Sequence, residues 1–138
     1  MNPAHVRQLM VLAGCLHFTQ VPAMLLLPRV LDWQAELDRV SPMNRRLIRV
    51  VVAGIMLCVL GLGVVVSTCA AEMATTCLGR ALSGFLAIFW ASRGAAQFLV
   101  YARIWPVGWR WAHWCLCALF PTLTLLYGVN LVSQGGGP

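Results

Sequence analysis

Apolar residues in this chain come in long blocks rather than in alternation with polar ones. Four blocks, at 8–27, 47–66, 81–101 and 111–132, reach the roughly 20 residues needed to cross about 30 Å of hydrocarbon. Lipid offers the backbone no hydrogen-bond partners, so each block satisfies its own polar groups only as a helix. The pattern predicts an all-α integral membrane protein, a single transmembrane domain over 1–138 built as a four-helix bundle.

The segment between the first two blocks has its own period. Val30, Trp33, Leu37 and Val40 recur at spacings that place them on one helix face, with Asp32, Glu36 and Arg39 on another. This predicts a short amphipathic helix over 30–40, lying in the membrane interface. Pro22 is expected to kink the first span and Pro28 to end it. Ser41 and Pro42 read as the cap and first residue of the second. The glycine-rich stretch 133–138 reads as a flexible tail. Leu12-Ala13-Gly14-Cys15 resembles a lipoprotein processing box. The apolar run ahead of it is shorter than the roughly 7–15 residues of a signal core, so the block is read as a retained span.

Composition agrees. Of 138 residues, 60% are hydrophobic and 10% charged, against about 25% charged in soluble domains. The net charge of +6 is carried by arginine alone, without lysine, a usage that hints at a bacterium with a GC-rich genome. These arginines cluster at span ends, with no separate basic domain and no nucleic-acid motif, so nucleic acid is not an expected partner. Arg29, Arg39, Arg45, Arg46, Arg49, Arg103 and Arg110 lie on the side of the first and third loops; Arg7 and Arg80 lie on the other. The positive-inside rule then puts those two loops in the cytoplasm and both termini outside, in a cell inner membrane. Trp33, Trp105, Trp109, Trp111 and Trp114 gather at the same cytoplasmic face, where indole prefers the headgroup level.

Candidate chemistry concentrates on the first and third spans. Trp90, Arg93, Gln97 and Tyr101 form one helical stripe on the third; His17 and Gln20 share a face of the first. These six residues are the candidate ligand-binding set. Arg93 leads it, because a charge near the bilayer centre costs about 2.5–3.5 kcal/mol and demands a partner. No span holds an acid, and Arg93 lies eight residues, about 12 Å, from Tyr101. Snorkelling to Asp32 or Glu36 is one expectation. The other is a grip on a lipid phosphate or a quinone. His17 reads as a neutral histidine bonded to a neighbouring helix, or as a relay or ligand group. His113, Cys117, Thr124 and Tyr127 fall on roughly one face of the fourth span. Ala87, Ala91 and Ala95, and also Gly54, Cys58 and Gly61, are spaced for close helix approach.

Cys69 and Cys77 sit in the central loop, where an oxidising side allows a disulfide or two free thiols. No metal site, catalytic residue or bound cofactor is expected. His17 and His113 differ in depth by about 10–15 Å, which argues against a shared haem. No span carboxylate is available to orient a nucleophilic triad, and buried acids typical of channels and pumps are missing. The expected function is non-enzymatic. The chain would be a small subunit that packs on a larger membrane complex, one of electron transport for instance, or on copies of itself. The alternative is a lipid- or quinone-binding protein, or an enzyme acting on a lipophilic substrate through the polar stripes of spans one and three.

Overall fold

The computed structural model describes residues 2–103 and 105–135; the side chain of Arg103 and residues 136–138 of the predicted tail lie outside that description. Of the described residues 91% are helical, and none is in a strand. Seven α-helices follow one another: α1 (Pro3–Phe18), α2 (Gln20–Val30), α3 (Trp33–Asp38), α4 (Pro42–Thr68), α5 (Ala70–Thr75), α6 (Cys77–Leu99) and α7 (Arg110–Gly135). Two 3-10 turns, Tyr101–Arg103 and Val107–Trp109, link α6 to α7.

Three stretches are long and apolar enough to cross a membrane: Pro3–Val30, Pro42–Thr68 and Val107–Gln134. α6 is long enough at 23 residues, but Arg80, Arg93 and Gln97 hold its composition below theirs. Composition therefore counts three spans among the described residues where the block pattern predicts four.

Local chemistry explains the boundaries. Asn2, Ser41 and Thr76 each accept a backbone N–H at the start of α1, α4 and α6, as N-cap side chains do. The helix of the first span is interrupted at Thr19, between α1 and α2. Pro22 accounts for this: it has no N–H for the Phe18 carbonyl, and its ring crowds that carbonyl. Pro28 does not stop α2, which continues to Val30; in the last turn it removes only one bond. Asp32 then takes a left-handed conformation (φ 47°), which a short polar side chain tolerates. That turn cuts the expected helix over 30–40 to the six residues of α3. Val30, Trp33, Leu37 and Val40 are half-buried, whereas Asp32, Glu36 and Arg39 are exposed. The central loop is not irregular, for α5 buries Ala70, Met73 and Ala74.

α1 lies at the centre. It packs against α4, α5 and α7, and α6 packs against α7. α1 and α4 cross at glycine. A Cβ on Gly14 would stand 2.7 Å from the Ser67 nitrogen and 3.0 Å from the Gly63 carbonyl oxygen. α6 meets α7 at Gly94, 3.4 Å from the Phe120 Cβ on the same construction, and at Gly84 beside Leu131. The small-residue faces expected from spacing are not the ones used. Gly54 and Gly61 have no neighbour within 4 Å, Cys58 is exposed, and Ala91 and Ala95 are exposed. Spacing identifies small-residue stripes, but the geometry of the crossing selects which one is covered.

Candidate functional site

An aromatic ladder runs through the bundle interior. The Arg93 guanidinium lies between two rings, 5.0 Å from the centroid of Tyr101 and 5.1 Å from that of Phe120. Phe120 stacks on Trp90 at 5.6 Å and 13°. Trp90 meets the His17 ring edge-on at 5.2 Å, and His17 meets Tyr127 edge-on at 6.1 Å. His17, Trp90, Phe120 and Tyr127 are all buried. Ring faces attract the guanidinium through their quadrupoles, so the ladder supports a cation within the bundle without a carboxylate. Arg93 makes no ion pair among the described residues. Two of the three acids of the first loop pair with nearer arginines, Glu36 with Arg39 at 3.2 Å and Asp38 with Arg45 at 2.9 Å, while Asp32 makes no ion pair among the described residues. The expected pairing of Arg93 with Asp32 or Glu36 is thus replaced by the two rings.

Several buried polar atoms on this ladder lack a hydrogen-bond partner among the described residues: His17 Nε2, Gln20 Nε2, Trp90 Nε1, Arg93 Nη1 and the Tyr127 hydroxyl. His17 Nδ1 donates to the Ala13 carbonyl at 2.7 Å, which leaves Nε2 as the free ring nitrogen. Two other polar groups are fully engaged. The Gln97 amide donates to His113 Nδ1 at 2.9 Å, tying α6 to α7. His113 Nε2 lies 3.5 Å from Cys117 Sγ. Near the C-terminal end of α7, Asn130 Nδ2 donates to Ser83 Oγ at 2.6 Å and to the Met73 carbonyl at 2.9 Å. Gln134 Nε2 donates to the same carbonyl at 2.7 Å and to Asn130 Oδ1 at 3.0 Å.

Beside the ladder is an apolar groove of about 310 Å³ between α2 and the first half of α7. Thr19, Pro22, Ala23, Leu26, Leu27 and Val30 form one wall; Trp111, Ala112, Cys115, Leu116 and Leu119 form the other, with Trp105 and Trp109 at one end. Leu26 is 40% exposed and Trp111 60%, so the groove opens sideways. Thr19, where α1 gives way to α2, is among the lining residues. Trp105 joins groove to ladder side, with its ring 6.0 Å from His113.

Of the six predicted residues, the structure brings His17, Trp90, Arg93 and Tyr101 onto the ladder. Gln97 faces His113 instead, and Gln20 is buried next to Thr19 without a partner. Phe120 and Tyr127 complete the ladder from α7 and were not in the predicted set. Tyr127 shares a helical face with His113, the only sequence signal for it. Phe120 carries none, because a phenylalanine in a span is unremarkable until its partners are known. The groove was also not foreseen. Cys69 and Cys77 are exposed free thiols. No group of three or more potential metal ligands occurs among the described residues. No family model, curated protein or solved structure matches the chain.

Proposed function

We propose that this chain is a four-span inner-membrane protein that holds a lipophilic ligand, a lipid or a quinone, in the groove between α2 and α7. The groove carries the reading: it is apolar, open sideways and edged by tryptophan, the features of a site filled from the bilayer rather than from water. The outward surface supports the membrane setting. Leu47, Val50 and Leu57 of α4 are 58%, 68% and 71% exposed, a patch that water would not tolerate on a monomer. α6 serves as the fourth span despite its composition. Three of its polar groups are turned inward, Ser83 to Asn130, Arg93 to its two rings and Gln97 to His113. Phe85, Ile88 and Leu99 face outward. The arginine-tryptophan collar then lies in the cytoplasm, α3 lies in the interface and both termini lie outside.

The test is extraction of the purified, mild-detergent protein and mass spectrometry of what it retains. One lipophile per chain is expected in the wild type, and less in Ala23→Phe, which fills the groove. Equal retention by both proteins defeats the groove as the site.

A second reading, an accessory subunit of a larger membrane complex, is favoured by one observation. On α4, Gly54 and Gly61 have no neighbour within 4 Å among the described residues, and Cys58 between them is exposed. Co-purification of a stoichiometric partner that is lost on Gly61→Leu substitution supports it; a lone monomer in every detergent overturns it.

A further inference from the structure

The groove has a direction, and its two ends differ. One wall runs from Thr19 to Val30. At 1.5 Å per residue that is about 16 Å, close to half of the roughly 30 Å hydrocarbon core and so to the depth of a single leaflet. At the deep end the only hydroxyl is that of Thr19, and it already donates to the Leu16 carbonyl at 2.8 Å. The other residues lining that end are apolar, so a hydrocarbon tail loses nothing there.

The other end is built for a headgroup. Trp105, Trp109 and Trp111 stand there, at the level indole prefers. Arg29 lies one residue before the lining Val30 and one helical turn from the lining Leu26. Arg110 lies between the lining residues Trp109 and Trp111. Both arginines are exposed, and neither has a carboxylate within 4.0 Å among the described residues; the two ion pairs there use Arg39 and Arg45. The chain thus places two arginines, without carboxylate partners among the described residues, next in sequence to residues at the mouth of a tail-length apolar groove.

Resting on the groove reading above, we propose that the ligand is an anionic phospholipid of the cytoplasmic leaflet. One acyl chain lies along the groove from Val30 to Thr19, and the phosphate sits at Arg29 and Arg110. Guanidinium suits this role because its forked donors match phosphate oxygens. The charge complementarity separates this occupant both from a zwitterionic lipid and from a quinone, which carries no net charge.

Native mass spectrometry of the full chain in mild detergent tests this. The probes are dioleoyl phosphatidylglycerol, dioleoyl phosphatidylcholine and a decyl-substituted benzoquinone. One phosphatidylglycerol adduct is expected, about 10- to 30-fold tighter than phosphatidylcholine for two arginines at the headgroup level. Arg29→Gln with Arg110→Gln should bring the two lipids to equal affinity, and the double lysine variant should restore most of the preference. Ala23→Phe, or Ala112→Phe should the first fail to fold, should weaken both lipids alike. Equal wild-type affinity for the two lipids, lost on Ala23→Phe, overturns the anionic assignment and leaves the groove standing. A preference for phosphatidylglycerol that survives both groove-filling variants overturns the groove itself. Displacement of phosphatidylglycerol by equimolar benzoquinone overturns the lipid in favour of a quinone.

Discussion

Replacing Gly14 with alanine isolates the crossing on which the bundle is hung. The added Cβ meets Ser67 Oγ, the Ser67 nitrogen at 2.7 Å and the Gly63 carbonyl oxygen at 3.0 Å. The hydroxyl cannot simply turn away, because it donates to the Gly63 carbonyl at 2.7 Å. The other two atoms are backbone, so α1 and α4 must separate by several tenths of an ångström. Overpacking of this kind costs about 1–3 kcal/mol, against a helix-propensity gain of about 0.5–1 kcal/mol for glycine to alanine. The expected net loss is about 1–2 kcal/mol. Gly54 on α4 is the matched control. It has nothing within 4 Å, so Gly54→Ala keeps only the gain of about 0.5–1 kcal/mol. The two variants should therefore move in opposite directions. The assay is unfolding of the purified protein in mixed micelles by increasing dodecyl sulfate, followed by far-UV circular dichroism. A Gly14→Ala midpoint at or above wild type refutes the crossing, and so does a Gly54→Ala midpoint as low as that of Gly14→Ala.

Three other outcomes follow from the same geometry. Asn130→Leu removes three hydrogen bonds, to Ser83, to the Met73 carbonyl and from Gln134; at an average of about 0.6 kcal/mol each in membranes the loss is about 2 kcal/mol, read as a lower midpoint in the same titration. Arg93→Lys keeps the charge but loses the planar stack between Tyr101 and Phe120, and should destabilise by about 1 kcal/mol; a wild-type midpoint would show that the rings are neighbours rather than partners. In intact cells, single-cysteine variants retaining Cys69 or Cys77, both exposed, should react with an impermeant maleimide, and tags at the two termini should be reached from the same outer side. Termini on opposite sides would leave three spans and remove α6 from the membrane.

The orphaned atoms of the ladder bear on how the polar stripes were legible. Periodicity places Trp90, Arg93 and Tyr101 on one face of α6, because 100° per residue is a property of any helix. It cannot say that Gln97, on the same stripe, turns to His113 on another helix. That depends on which residue of α7 stands opposite, and so on the Gly94 contact that sets the spacing of the two helices. Arg93 shows the same division. Its need for a partner follows from charge and depth. The partner itself, two rings rather than a carboxylate, follows from the short reach of Asp38 and Glu36 to Arg45 and Arg39.

By itself the sequence determined the long apolar helices, the cap at Ser41, the interruption near Pro22 and the inward tendency of the polar stripes. Each of these arises from neighbours a few residues apart, where backbone geometry leaves little choice. Only the tertiary structure decided which glycines are covered, which ring receives Arg93 and where the groove opens. Those features lie between helices far apart in the chain, and they depend on crossings that a Cβ more or less would shift. The groove is the clearest case. None of its wall residues is unusual alone, and it exists only because residues of α2 and α7, far apart in the chain, line it together.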